Sequence, residues 1–163
     1  MEKKRMTNRI GDIYRVWLDN GNQRFFQYIA RDKSQLGSTV IRVFKREYPT
    51  KYIFNPEEIV NDEVDFYAHT ALCGNMERFW QKVGKSKNIG DIENIMFRLF
   101  DEGNYGHLTK SYNWYVWTIN KEYIHIGELT EYYKKHADVG FIFSYNTILS
   151  KIKTGKYSFK ILE

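Results

Sequence analysis

The stretch from residue 13 to residue 30, Ile13-Tyr-Arg-Val-Trp-Leu-Asp-Asn-Gly-Asn-Gln-Arg-Phe-Phe-Gln-Tyr-Ile-Ala30, holds two apolar runs separated by a polar tetrapeptide. Val, Ile, Tyr, Phe and Trp are common in both runs, a composition typical of β-strands. Between them, Asn20-Gly21 is a strong hairpin signal, because a type I′ turn needs a positive φ at both central positions. The stretch therefore predicts antiparallel strands over 13–18 and 23–30.

The same turn predicts the register of this hairpin. If Asn20 and Gly21 are the central positions, Trp17 faces Arg24 and Val16 faces Phe25 across the two strands. Cross-strand neighbours lie close enough to interact, and a guanidinium over an indole is a favourable cation–π contact. We therefore expect Trp17 and Arg24 to stack.

Three more elements follow directly along the chain. Residues 39–45 are rich in β-branched side chains and predict a third strand, so that the first three strands form a meander that could be part of a small barrel. Asn55-Pro-Glu-Glu58 combines an N-cap, a proline at the first helical position and two acidic residues, which predicts a short helix over about 56–62. The alternation over 64–72 predicts a half-buried strand.

The second half of the chain has weaker patterns. It predicts strands over 76–83, 114–119 and 123–126, helical spacing over 92–100, and an edge strand over 157–162. Two stripes at helical spacing predict amphipathic helices near the end of the chain: Leu129, Tyr132, Tyr133 and His136, and, after the N-cap Ser144, Tyr145, Ile148, Leu149 and Ile152.

These elements together predict an α+β fold. We expect a mainly antiparallel, twisted sheet or a partial small barrel, with the two C-terminal amphipathic helices packed on it. Residues 1–8 are predicted to be a flexible basic arm, and residues 9–163 a single domain.

Composition narrows the class of protein. The 163 residues are 42% hydrophobic and 17% aromatic, which excludes a disordered chain. Cys73 is the one cysteine, so neither an intramolecular disulfide nor a cysteine zinc cluster can form. No apolar segment follows the basic start and no run is long enough to span a bilayer, so we expect a cytoplasmic protein without a membrane association.

Charge is unevenly distributed. Residues 1–55 contain 12 basic and 5 acidic residues, whereas residues 56–163 contain 13 basic and 15 acidic ones. The basic half could attract nucleic acid or an acidic protein, although ordinary surface charge explains it as well. The acidic stretch over 57–65 lacks the alternating oxygen ligands and the glycine of a calcium loop, so a solvated helix start is the favoured interpretation. No cofactor or metal ion is expected.

The residue types that carry chemistry form no strong motif. The sequence contains no phosphate-binding loop, no nucleophile elbow and no paired-histidine zinc motif. Asp101, Glu102 and His107 flank the glycines of one loop and could act as acid and base, but a polar turn is the simpler interpretation. Cys73 lies near His69 in sequence, yet a lone cysteine is more often a small buried hydrophobe.

The aromatic residues allow two interpretations. The strand positions Phe25, Phe26, Tyr28, Trp80, Trp114 and Trp117 could stack single-stranded nucleic acid, or they could fill the core. Tyr, Trp and Arg side chains that remain at the surface are the usual composition of a protein-binding hot spot.

Three segments carry a resemblance to a known family. The opening Arg9-Ile-Gly-Asp-Ile-Tyr-Arg-Val-Trp-Leu-Asp-Asn-Gly-Asn22 and Arg24-Phe-Phe-Gln-Tyr-Ile-Ala-Arg-Asp32, with the later Val40-Ile-Arg-Val-Phe-Lys45 and Glu63-Val-Asp-Phe-Tyr-Ala-His69, resemble the immunity protein 26 family of bacterial polymorphic-toxin systems. The resemblance is clearest over residues 9–70. It implies a mostly-β protein that neutralises a toxin by binding it, and it carries no catalytic residues.

The leading hypothesis is therefore a non-enzymatic protein-binding module, most specifically an immunity protein whose partner is a cognate toxin. Because the pI is about 9.1, the partner surface would be acidic, or would meet the acidic stretch of this chain. The candidate partner-binding residues are Trp17, Arg24, Arg42, Glu57, Glu58 and Asp62. A nucleic-acid-binding module that uses the basic half is the alternative, and an enzyme of unrecognised type is a third.

Overall fold

A computed structural model describes residues 7–72, 78–103 and 106–163 of the chain. Most of the predicted arm, Cys73 and the first residues of the strand predicted over 76–83 lie outside this part. The elements, in chain order, are β1 (Asp12–Trp17), β2 (Gln23–Asp32), β3 (Ser38–Phe44), α1 (Pro56–Ile59), β4 (Val64–Thr70), β5 (Gln81–Lys85), β6 (Met96–Phe100), β7 (Trp114–Thr118), β8 (Ile124–Gly127), α2 (Glu131–His136), β9 (Ala137–Val139), β10 (Ile142–Phe143) and α3 (Tyr145–Thr154).

The strands form two mixed sheets. The larger has the order β10-β4-β3-β2-β1-β5, in which β1 to β4 are a continuous antiparallel meander and β10 is parallel to β4. The smaller has the order β8-β7-β6-β9, with β9 parallel to β6. The fold is therefore α+β and mostly sheet, as the sequence predicts, and the strands of the described ranges do not close into a barrel.

The predicted register of the first hairpin is wrong by one residue. Trp17 pairs with Gln23, and Val16 pairs with Arg24. Gly21 has a φ of +84°, but Asn20 is not among the residues with positive φ, so the turn is not type I′. The N–H of Gly21 donates to the Leu18 carbonyl at 3.0 Å, which makes a three-residue loop that ends in a left-handed glycine.

Both faces of the larger sheet are covered. One face carries Tyr14, Phe26 and Val43 and packs against α3 through Ile148 and Ile152. The opposite face is covered by two different elements. Near the first hairpin it meets α1, and farther along β2 and β3 it meets the smaller sheet. This explains why β2 is buried along nearly its whole length.

The segment 92–100 also differs from its prediction. The sequence predicts helical spacing there, whereas the structure has a turn followed by the strand β6, Met96–Phe100. The Asp91 carboxylate accepts a hydrogen bond from the Glu93 N–H at 3.0 Å, a local turn that competes with a helix start. Beyond that turn, β6 pairs with β7 on one side and β9 on the other. A strand with apolar neighbours on both faces shows no alternation, so its period is uninformative.

The C-terminal third differs from the predicted pattern in two places. The stripe that begins at Leu129 does not form one face of a helix. Leu129 is buried, but it precedes the first residue of α2. The helix itself is six residues long and has no buried side chain. Residues 157–162 are not a strand. They pack through side chains instead: the Tyr157 ring stacks on Phe143 at 4.6 Å, and Leu162 is buried under the smaller sheet.

The helix signals are borne out at the other two helices. Asn55 caps α1 by accepting from the Glu57 N–H, with Pro56 at the first helical position. Ser144 caps α3, which ends at Gly155 in the left-handed conformation. α3 buries Thr147, Ile148 and Ile152.

Candidate functional site

Trp17 lies at the end of β1 that leads into the hairpin turn, and it is the largest exposed side chain of the meander. Its side chain is 41% exposed. Arg15, two residues earlier, is on the same face of the strand, and its guanidinium carbon lies 5.2 Å from the centre of the indole ring. The cation–π partner of Trp17 is therefore Arg15, and the predicted partner Arg24 projects from the opposite face.

A groove of about 200 Å³ begins at this pair; we call it the Trp17 groove. Its other wall comes from the segment before β5, where the Arg78 guanidinium lies 4.5 Å from the centre of the Phe79 ring. Phe79 in turn stacks on Tyr145 at the start of α3, at 4.0 Å between ring centres. The groove is lined by Arg15, Trp17, Arg78, Phe79, Trp80, Gln81, Leu149 and Lys153.

The cations of the Trp17 groove are only partly neutralised. Lys153 pairs with Asp19 at 2.9 Å. Within the described ranges, neither Arg15 nor Arg78 forms an ion pair, and the Nε of Arg15 is buried without a hydrogen-bond acceptor. In the part of the chain that the structure describes, the groove thus combines an exposed indole with two guanidinium groups that form no ion pair.

Arg24 is held inside the protein. Its side chain is 8% exposed, and its Nη2 contacts the Asp65 carboxylate at 2.7 Å. Nε and Nη2 also donate to the Phe44 carbonyl, at 3.0 and 2.7 Å, and Nη1 donates to the Ile152 carbonyl at 2.8 Å. These bonds join β2, β3, β4 and the end of α3. Arg24 is therefore not part of the surface on which a partner could dock.

Arg42 is also buried. Its Nε donates to the Gln27 side-chain oxygen at 2.9 Å, and its Nη2 donates to the Asn88 carbonyl at 2.8 Å. The guanidinium lies 5.0 Å from the centre of the Phe44 ring, and burial lowers the pKa of Arg42. A Cβ at Gly90 would lie 2.5 Å from the Nη1 of Arg42, so a glycine at this position lets the loop approach the guanidinium closely. The hydrogen bonds of Arg42 thus hold the loop after β5 against the sheet.

The predicted acidic residues lie together around α1 but are satisfied within the chain. Glu58 accepts from the Tyr52 hydroxyl at 2.8 Å and pairs with Arg46 at 3.2 Å. The Asp62 carboxylate accepts from the Tyr48 hydroxyl. Glu57, the most exposed of the three, accepts from the Ser86 hydroxyl at 2.9 Å. These contacts hold α1 against the sheet. Glu58 and Asp62 share one cation, Arg46, whereas the partner of Glu57 is an uncharged hydroxyl.

The loop that contains Asp101, Glu102 and His107 is not assembled as an acid–base pair in the described residues. Glu102 accepts from the Ser111 hydroxyl at 2.7 Å, whereas Asp101 and His107 are exposed. Residues 104 and 105, between them, lie outside the described part. No group of three potential metal ligands occurs within the described ranges.

Of the two interpretations of the strand aromatics, the packing of the core is confirmed and the stacking platform is not. Phe25, Phe26, Tyr28, Trp80, Trp114 and Trp117 are each no more than 7% exposed, so their rings fill the core. Sequence reasoning found Trp17 but missed Arg15, Arg78 and Lys153. The spacing of Arg15 and Trp17, two residues apart on a strand, is a signal that could have placed them on one face. Nothing local in the sequence brings Lys153 to them.

The chain has no match among protein-family models, curated proteins or solved structures. Among the helices of the described ranges, none has both the length and the apolar character to cross a membrane.

Proposed function

We propose that this chain is a non-enzymatic protein-binding module, and that it binds an acidic patch of a protein partner in the Trp17 groove. The observation that carries the proposal is that the exposed indole of Trp17 lies beside Arg15 and Arg78. Neither arginine forms an ion pair within the described ranges. Trp and Arg are the residue types that most often dominate binding energy at protein interfaces.

Charge supports an acidic partner over a basic one. The formal net charge is +5, and the acidic side chains around α1 are already bonded to Arg46, Tyr48, Tyr52 and Ser86. A carboxylate that enters the groove meets two guanidinium groups, whose planar forks suit bidentate hydrogen bonds. The C-terminal part of the chain contributes through α3, whose Leu149 and Lys153 line the groove.

The specific form of the proposal is an immunity protein that neutralises a bacterial toxin by direct binding in the cytoplasm. This part rests on the family resemblance over residues 9–70, which contains Arg15 and Trp17 but not Arg78. Inhibition by binding requires a stable scaffold and one complementary patch, so it needs no catalytic group.

The test compares how well the unmodified chain and variants of the Trp17 groove capture a protein partner. The tagged chain, Trp17→Ala, Arg78→Glu and the control Tyr112→Ala are incubated with lysate of the source organism, and bound proteins are identified and titrated. Tyr112 is 65% exposed and lies outside the groove. We expect Trp17→Ala and Arg78→Glu each to weaken the same complex at least about tenfold, or roughly 1.4 kcal/mol. Equal binding by all four proteins would contradict the proposed site.

The immunity role has its own test. The captured protein is produced in a bacterial host alone, with this chain, or with Trp17→Ala. Growth arrest that the unmodified chain relieves, and that Trp17→Ala relieves less, supports neutralisation of a toxin. A captured protein that does not impair growth would leave the binding module intact as a proposal and would remove the immunity role.

The alternative function is nucleic-acid binding, and the same groove favours it by combining a basic surface with one exposed indole. Contacts to phosphate make affinity fall steeply with salt, by roughly one power of the salt concentration for each phosphate contacted. Co-purified nucleic acid that is lost on nuclease treatment, with a salt slope that Arg78→Glu reduces by about one, would favour this function over a protein partner.

A further inference from the structure

A second polar cleft lies on the far side of α3 from the Trp17 groove, where α2, β6, β9 and the C-terminal segment meet. Its volume is about 370 Å³, and its walls are mostly polar; we call it the Arg98 cleft. The charged groups that face it come from six parts of the fold: Asp65 on β4, Arg98 on β6, Lys134, Lys135 and His136 on α2, Asp138 on β9, Lys151 on α3, and Glu163 in the C-terminal segment.

Arg98 presents an unused edge in this cleft. Within the described ranges, its hydrogen bonds all come from one nitrogen, Nη1, which donates to the carbonyls of Tyr133, Lys134 and Ala137 at 3.1, 2.8 and 2.9 Å. Its Nε is buried without an acceptor in the described part of the chain. The Nε–Nη2 edge of a guanidinium is one of the forks that bind carboxylate or phosphate with two parallel hydrogen bonds. Arg98 is therefore fixed in place through Nη1, whereas Nε and Nη2 have no acceptor within the described ranges.

Lys151 supplies a second cation. Its Nζ lies 4.6 Å from the centre of the Tyr157 ring and 5.5 Å from that of Phe66, both cation–π contacts. Over the described ranges, neither Lys151 nor Arg98 has a carboxylate within ion-pair distance, whereas Lys134 pairs with Glu131 and Asp65 pairs with Arg24. Neither cation is therefore neutralised by a direct ion pair in that part of the chain, although the charge of Asp138 acts on both.

Asp138 is the acidic group that shares the cleft. Its Oδ2 accepts from the Tyr67 N–H at 3.1 Å. Burial raises the pKa of the Asp138 carboxyl to about 6, against the opposing effects of the Tyr67 N–H, Lys151 and Arg98. The aspartate therefore carries much less charge at pH 5.5 than at pH 7.5.

We propose that the Arg98 cleft binds a small oxyanion, a carboxylate or phosphate group, between the Nε–Nη2 edge of Arg98 and the ammonium group of Lys151. The ionised Asp138 carboxylate repels such a ligand, so binding takes up a proton and strengthens as the pH falls. Glu163 faces the cleft and opposes the anion as well, whereas Lys134 and Lys135 favour it. Asp65 contributes less, because Arg24 neutralises it.

The test is titration of the full chain with sodium sulfate, a stand-in for phosphate whose charge is the same at pH 5.5 and 7.5, and, separately, with sodium acetate. Both titrations are made at constant ionic strength and at these two pH values. Binding is followed by calorimetry and by the backbone amide resonances of β9 and α3. We expect saturable binding of at least one of the two anions, with an affinity about threefold or more higher at pH 5.5. The anion that binds more tightly identifies the chemistry of the natural ligand.

Three variants separate the site from general charge. Lys151→Met should weaken binding by about fivefold or more, whereas Lys156→Met, an exposed lysine outside the cleft, should not change it. Asp138→Asn should strengthen binding at pH 7.5 and remove most of the pH dependence. This gain cannot result from misfolding, so it keeps the test independent of the stability of the variants.

Two results would overturn the proposal. One is the absence of saturable binding of either anion at concentrations up to about 50 mM at pH 5.5, because a site that weak would not bind a ligand specifically. The other is binding that Lys151→Met and Lys156→Met affect equally, which would reflect the net positive charge of the chain.

Discussion

Asp138 and His69 are buried titratable groups whose shifted pKa values have opposite consequences for stability. The pKa of Asp138 is raised, so the folded state binds a proton more tightly than the unfolded state, and stability falls as the pH rises from about 4 to about 6. Burial lowers the pKa of His69 despite the adjacent Asp32, so the folded protein binds a proton at this histidine less readily than the unfolded chain does. Its contribution is complete above the unfolded pKa of about 6.5 and is lost as the pH falls.

The first prediction concerns Asp138→Asn. At pH 7.5 the substitution removes a buried negative charge and keeps an oxygen that can accept from the Tyr67 N–H, so we expect the free energy of unfolding to rise by about 1–3 kcal/mol. The gain should shrink steadily as the pH falls from 6 to 4. Urea denaturation at several pH values measures it, with the exposed Asp101→Asn as the control. A gain of equal size at pH 4 and pH 7.5 would contradict the assignment to ionisation.

At the scale of the element, the first hairpin depends on one backbone conformation. Gly21 adopts a φ of +84°, and this left-handed residue closes the three-residue loop that sets the pairing of β1 with β2. A residue with a Cβ is disfavoured there whatever the surrounding space. The register in turn places Trp17 on the same face as Gln23 and leaves Arg24 on the face that α3 covers.

The second prediction is that Gly21→Ala lowers the free energy of unfolding by about 1–2 kcal/mol. The matched control is Gly103→Ala, because Gly103 has no positive φ and an added Cβ would meet nothing within 4 Å. We expect the control to be neutral or slightly stabilising. Thermal and urea unfolding compare the two variants; a loss of the same size in both would show that the turn conformation is not the cause.

At the scale of the whole molecule, one buried carboxylate joins the two sheets. Asp32, at the end of β2, accepts from the Trp117 indole N–H at 2.8 Å and from His69 at 2.9 Å through Oδ2. Its Oδ1 accepts from the backbone N–H groups of Gln35 and Asn120, at 3.2 and 3.1 Å. Both Asp32 and His69 are fully buried. The carboxylate therefore fixes β2 and β4 of the larger sheet against β7 of the smaller one.

The third prediction is that Asp32→Asn lowers the free energy of unfolding by about 2–4 kcal/mol. An asparagine turns one acceptor into a donor at a place where every neighbour already donates. Asp101→Asn, which changes the same chemical group on an exposed loop, should stay within about 0.5 kcal/mol of the unmodified chain. Urea denaturation measures both variants, and a cost below about 1 kcal/mol for Asp32→Asn would contradict its role as the link between the sheets.

The sequence predicted the elements of the larger sheet better than their pairing. Val, Ile and aromatic composition marked β1 to β4, and the Asn-Gly pair marked the hairpin. The register was wrong because the type of turn depends on the φ of Asn20, and Asn tolerates both the right-handed and the left-handed conformation. β6 was assigned the wrong period because apolar cover on both sides removed its alternation.

The candidate site could be predicted only in part. Trp17 was named for a predicted stacking on Arg24 that the structure does not contain, and its exposure beside the turn could not be read from the sequence. Arg24 and Arg42 were expected at the surface because a sheet with one solvated face was assumed, whereas both faces of this sheet are covered. The Trp17 groove needs Lys153 of α3, which lies more than a hundred residues after β1 in the chain. The Arg98 cleft needs Lys151 of the same helix, more than fifty residues after β6. No local pattern encodes such a juxtaposition.

Residues 137–143 complete both sheets, which has a consequence for the synthesis of this protein. β9 adds the edge strand next to β6, β10 adds the edge strand next to β4, and Gly140 lies between them, where a Cβ would come within 2.1 Å of the Trp117 ring. A ribosome makes β4 more than seventy residues before the strand that covers it. A nascent chain that pauses before residue 137 therefore exposes two unpaired strand edges at once, and we expect it to depend on chaperones until these seven residues emerge.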